Sequence, residues 1–196
     1  MKGKRIAAFA LALVLGASAA QPALAADWQS KNPLIAHALG EADGKIETNS
    51  KEAFLTSWQN GFRAVEADFT YTSDGTLVVR HDFEKDGSYY RLEIKPSGSL
   101  VMDTKTFTST PAVYEQTPMT AVDLLYLMQE YPDMYLITDT KTTDKAQVQR
   151  QFRDLVNIAN NIGSPEILSR IIPQLYNKEM LSLIKEIYPF ENWIFT

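Results

Sequence analysis

The chain has 196 residues, 45% hydrophobic and 22% charged, with a formal charge of −5 and no cysteine. These values describe a globular chain and exclude disulfide stapling and a cysteine-linked lipid anchor. The acidic balance argues against nucleic acid, or an anionic membrane surface, as a partner held by charge alone.

Lys2, Lys4 and Arg5 precede an apolar run over 6–20, and Ala23-Leu24-Ala25 gives a small-residue cleavage signal before Ala26. This pattern predicts a cleaved signal peptide over 1–25 and a secreted or extracytoplasmic protein that is not lipid-anchored. The run is too short and too rich in small residues for a membrane span. Losing those three cations with the leader takes the formal charge from −5 to −8. About 170 residues remain, enough for one domain with one core.

Leu34-Ile35-Ala36 reads as a short buried strand that empties into a loop at His37 and Gly40. Ser50 can cap a helix carrying Ala53, Phe54 and Trp58 at helical spacing, with Gly61 closing it. The segments 64–72 and 76–80 are strand-like around the turn residues Ser73-Asp74-Gly75. A two-residue turn at Asp74-Gly75 would set Asp68 directly opposite His81, with Cβ atoms ~5 Å apart, and Glu66 two residues along on the same face. The segment 83–118 loses periodicity and is expected to be an insertion or lid loop, with Tyr89, Tyr90, Phe107 and Tyr114 along it.

Thr120 and Asp123 form a capping pair for a helix that Pro132 stops, and a strand follows over 134–138. A long helix over 144–162 closes at Gly163, a strand spans 170–176, Asn177 caps a further helix to 188, and 192–196 opens another strand. Strands alternating with helices predict an α/β chain with parallel strands. A TIM (β/α)8-type barrel needs roughly 250 residues. The expected architecture is such a barrel truncated after about the fifth or sixth strand, its C-terminal part missing, over 26–196. An open doubly wound sheet is the other architecture the pattern allows.

Two close carboxylates repel unless one is protonated or a cation lies between them, so Glu66 and Asp68 beside His81 point to a metal and to proton transfer. Oxygen ligands suit Ca²⁺ or Mg²⁺. Asp139, with Lys141 two residues on, repeats the strand-end placement of His37 and His81, the chain's two histidines. Against this stands a solvated strand face whose acids pair with surface lysines.

The ordered series His37-Ala38-Leu39-Gly40, Thr48-Asn49-Ser50 with Glu52-Ala53-Phe54, Gly61, Glu66-Ala67-Asp68, Thr72-Ser73-Asp74-Gly75, Leu77-Val78-Val79, His81-Asp82 and Asp139-Thr140-Lys141 resembles the motifs of the glycerophosphodiester phosphodiesterase family. The resemblance implies a TIM barrel and a divalent metal, Ca²⁺ or Mg²⁺, held by Glu66, Asp68 and Asp139. It further implies His37 and His81 as general base and acid, and Lys141 as the catalytic, substrate-binding cation on the phosphate. The implied substrate is a small-molecule phosphodiester. Ala38 stands where the family usually has Arg, Glu47 lies one place early for a ligand, and Asp139 replaces the family's usual Glu.

Three functions fit these residues. One is a secreted metal-dependent phosphodiesterase of glycerophosphodiesters or related lipid headgroup diesters. Another is an inactive or binding-only remnant of that fold. A third is a phospholipase acting on intact phospholipid through a transient membrane-interface contact by Tyr89, Tyr90, Phe107 and Tyr114.

Overall fold

The structure, a computed structural model, describes residues 28–81, 83, 101–112 and 115–196. The expected leader over 1–25 and Asp82, Tyr89, Tyr90 and Tyr114 lie outside the described residues. Helix α1 (Trp28–Lys31) leads to Ala36, which bridges Val65 in parallel: its N–H donates to the Ala64 carbonyl at 3.0 Å and its carbonyl accepts from Glu66 N–H at 2.8 Å. The expected buried strand over 34–36 is thus a single bridge, with Leu34 and Ile35 exposed at 65% and 40%. Among the described residues no strand pairs on its outer side, so this one bridge is all that ties the segment into the sheet.

A 3₁₀ turn over His37–Leu39 follows, with Ala38 and Leu39 at φ 46° and 67°. Gly40 is required next to it, because at φ 107° an added Cβ would lie 2.0 Å from Ser57 Oγ, which donates to the Leu39 carbonyl. Strands β1 (Glu41–Ala42) and β2 (Lys45–Ile46) form a small hairpin before α2 (Lys51–Gln59), whose first turn is capped by Ser50 accepting from Ala53 N–H.

Strand β3 (Ala64–Tyr71) pairs antiparallel with β4 (Leu77–Val79), with Phe69 opposite Val79 and Tyr71 opposite Leu77. This register corrects the sequence expectation. The turn is a three-residue loop, closed by Thr72 N–H on the Thr76 carbonyl, with Gly75 at φ 89°. The added loop residue slips the pairing by one, so Arg80, not His81, lies opposite Asp68, and its N–H donates to the Asp68 carbonyl at 2.9 Å.

Part of the expected loop over 83–118 is ordered as helix α3 (Thr104–Ser109), capped by Asp103. Phe107 is 1% exposed and packs edge-on against Phe83, so it is a core residue and not a membrane-dipping one. Strand β5 (Met119–Thr120) precedes α4 (Ala121–Glu130), which starts with the Thr120/Asp123 capping box as expected. Then come β6 (Tyr135–Asp139), α5 (Lys145–Asn161), a 3₁₀ turn over Pro165–Arg170, β7 (Ile171–Leu175), α6 (Lys178–Lys185) and β8 (Ile194–Phe195).

The main sheet runs β5-β4-β3-β6-β7-β8, and β3, β6, β7 and β8 are mutually parallel. With Ala36 on the near side of β3, successive parallel segments lie side by side in chain order, separated by helices, which is the build of a TIM-type barrel wall. Side chains alternate across this wall. Val65, Ala67 and Leu136 face the helix layer with Phe54, Leu124 and Phe152, whereas Ala64, Ile137 and Ile172 face inward with Trp28, which stacks on Tyr135. By the same alternation Glu66, Asp68 and Asp139 lie on the inward face. Among the described residues no helix is long and apolar enough to cross a membrane.

Candidate active site

Asp68, Asp139, His37 and Lys141 stand at or just beyond the carboxyl ends of parallel segments, where helical crossovers leave an open face, and His81 follows the antiparallel β4. Asp68 and Asp139 are register partners on β3 and β6, and Glu66 stands one pleat back on β3. Carboxylate oxygens of Glu66, Asp68 and Asp139 all lie within 4.8 Å of one another, and all three residues are buried. Glu47, left open by the sequence, is outside this group; its Oε1 lies 3.8 Å from His37 Nδ1.

The three carboxylates share one arrangement. Glu66 Oε2 accepts from Ala38 N–H at 2.8 Å, and Asp68 Oδ2 accepts from Asn49 Nδ2 at 2.7 Å. Asp139 Oδ1 accepts from Lys141 N–H at 3.0 Å and from the Tyr176 hydroxyl. One oxygen of each acid is therefore held from outside the cluster. The other oxygens are Glu66 Oε1, buried with no hydrogen-bond partner, and Asp68 Oδ1 and Asp139 Oδ2, each 2.6 Å from Lys141 Nζ.

A buried orphan oxygen costs roughly 1–3 kcal/mol unless something pairs with it. Burial, helped by the charge of Asp68, pushes the Glu66 carboxyl up to about 8, against the pull of the Ala38 N–H. Burial also works against charge on Asp139 and Lys141. Their mutual hydrogen bonds outweigh it, holding Asp139 below the usual carboxylate range and Lys141 above the usual amine range. The cluster thus carries more negative charge than its one ammonium neutralises at high pH. Three buried carboxylates with oxygens within 4.8 Å of one another, one oxygen orphaned, are a donor set that suits a hard divalent cation such as Ca²⁺ or Mg²⁺.

His37 Nε2 lies 3.8 Å from Glu66 Oε2, with its ring 60% exposed on the rim. His81 follows β4, half-buried, one position beyond the residue paired with Asp68. Lys141 takes a left-handed backbone, φ 53°, that returns both its N–H and its ammonium to Asp139. Asn49, at φ 52°, also receives the Asp68 N–H on its own Oδ1 at 3.1 Å, clamping that residue from both sides. The sequence offered Asn49 only as part of a motif and did not single out Tyr176. An aromatic residue directly after an apolar strand reads as packing until the neighbouring strand's acid is known to lie beside it.

Fold and site together define an α/β barrel-type chain with a carboxylate cluster at the carboxyl ends of its strands. Residues 39–89 match the model of the glycerophosphoryl diester phosphodiesterase family, a span that holds Glu66, Asp68 and His81 but not His37, Asp139 or Lys141. No curated protein matches the sequence. Among solved structures, a glycerophosphodiester phosphodiesterase from Parabacteroides distasonis is similar at TM-score 0.63 and 17% identity, over 82% of this chain and 63% of its own. An Oleispira antarctica phosphodiesterase, solved with the product sn-glycerol-3-phosphate, is similar at TM-score 0.55 and 18% identity, over 79% of this chain and 62% of its own. The chain resembles the glycerophosphodiester phosphodiesterase family in its ordered motifs and shares the barrel fold, and it spans somewhat over 60% of the length of these solved chains.

Proposed function

We propose that the chain carries the active site of an exported, metal-dependent phosphodiesterase acting on glycerophosphodiesters or related lipid headgroup diesters. The observation that carries this reading is the buried cluster of Glu66, Asp68 and Asp139, whose oxygens lie within 4.8 Å of one another, with Glu66 Oε1 buried without a hydrogen-bond partner. These residues would hold Ca²⁺ or Mg²⁺, which supplies positive charge at the phosphoryl oxygens when bound. The family match and the relative solved with sn-glycerol-3-phosphate support the substrate class.

In the hydrolysis, a water attacks phosphorus and the bond to the leaving alcohol breaks, or a neighbouring substrate hydroxyl does so to give a cyclic diester that water then opens. His37, exposed on the rim and oriented between Glu47 and Glu66, takes the proton of the attacking group. His81 returns a proton to the departing alcohol oxygen. Lys141, whose ammonium lies between Asp68 and Asp139, supplies the positive charge that offsets charge on the phosphate.

One observation favours a second reading. The Lys141 ammonium already spans two of the three carboxylates, as it would in a binding-only site. Hydrolysis of glycerophosphocholine and of bis-substituted model diesters, with Ca²⁺ or Mg²⁺ and then with chelator, separates the two. Turnover abolished by chelator and reduced about 10²–10⁴-fold in His37→Ala and in His81→Ala supports the enzyme. Full turnover in both histidine variants overturns the mechanism, and ion binding with no turnover selects the binding-only site. Preference for phospholipid vesicles over soluble diesters would move the substrate to intact lipid.

A further inference from the structure

We infer that Tyr176 is a positioning residue for the cation site, acting through Asp139; the inference rests on the ion-binding part of the proposed function. Tyr176 is the first residue beyond β7, the strand next to β6, and its hydroxyl donates to Asp139 Oδ1. Its backbone is anchored as well, the N–H meeting Met180 Sδ of α6 at 3.4 Å. The ring is 37% exposed, so the residue contributes less to the core than a buried aromatic would, and its polar end is what reaches the site.

The need for such a residue follows from the chemistry of Asp139. A short carboxylate has one rotatable bond between its Cβ and its oxygens, and a free rotation would exchange Oδ1 and Oδ2 at the centre. Lys141 N–H alone holds Oδ1 from its own loop, which has a left-handed residue at φ 53°. Tyr176 holds the same oxygen from a different element, so the carboxylate plane is fixed from two directions and Oδ2 remains the oxygen aimed at the cluster. Glu66 and Asp68 have corresponding donors in Ala38 N–H and Asn49. Tyr176 completes the set, and outer donors of this kind tune ion affinity.

The test replaces the hydroxyl and keeps the ring, with Tyr176→Phe. Calorimetric titration of the full chain with Ca²⁺ and with Mg²⁺ should give binding about 10–100-fold weaker than wild type. The loss should vanish in an Asp139→Asn background. Wild-type affinity in Tyr176→Phe overturns the inference while leaving the cation site standing. If the wild-type chain binds neither ion, the ion-binding reading fails by itself. Tyr176 is then judged by thermal midpoints of the two single variants and the double variant: non-additive shifts support the coupling to Asp139, and additive shifts refute it.

Discussion

Replacing Glu66 by Gln should remove a pH dependence of stability that wild type shows without divalent ions. In the folded chain burial and the neighbouring Asp68 raise the Glu66 carboxyl from an ordinary 4.5 to about 8. The folded state therefore holds this proton more tightly than the unfolded state does. Below pH 4.5 both states are protonated; between 4.5 and 8 the folded state carries the extra proton, so stability falls as pH rises; above 8 the loss is complete. At about 1.4 kcal/mol per pH unit, the full displacement is on the order of 3–5 kcal/mol. The assay is urea unfolding in chelator from pH 4.5 to 9 for wild type and Glu66→Gln. The wild-type advantage over the variant should shrink steadily across that window, and millimolar Ca²⁺ or Mg²⁺ should restore it at the upper end. A difference that stays flat, or grows with pH, would refute the placement of Glu66 as a buried, cation-seeking carboxyl.

Asn49→Ala breaks both clamps on Asp68, leaving a buried carboxylate oxygen and a backbone N–H unpaired, and puts alanine at φ 52°. Denaturant unfolding should register a loss of about 2–4 kcal/mol, and cation affinity should fall with it. Arg170→Ala should cost about 2–3 kcal/mol. Its guanidinium donates to the carbonyls of Met128, Tyr131 and Met134 around the end of α4, and burial makes those acceptors hard to re-satisfy. Urea midpoints check this, and Arg170→Lys should recover less than half, because one ammonium cannot reach three carbonyls in a fork.

Signals that act over one turn of chain were legible in the sequence. Ser50, the Thr120/Asp123 box and Asn177 cap the helices the sequence assigned to them, because a cap needs only its own neighbours three residues on. Alternation of strands and helices likewise fixed the α/β class and the parallel sheet, since a right-handed crossover leaves few other arrangements. Glu66, Asp68 and Asp139 came together as a group through the family resemblance, and the strand-end position of Asp139 agreed with it, since barrel topology gathers such ends.

What depends on partners distant in sequence was not legible. The register of β3 on β4 turns on the backbone of Gly75, which adds one loop residue and moves His81 off Asp68. Helix α3 and the Pro165–Arg170 turn carry too few residues for a period to emerge. Phe107, read from composition as a residue for a membrane interface, is buried by Phe83 and Met102. Which oxygen of each acid faces the centre was decided by Ala38, Asn49, Lys141 and Tyr176, donors on separate loops that only packing of the strands brings together. Sequence alone determined the kinds of groups present and the ends of the sheet they occupy, because strand alternation and capping are local. Tertiary structure alone decided their aim, because a carboxylate's orientation is set by whatever donor lies across the gap between strands.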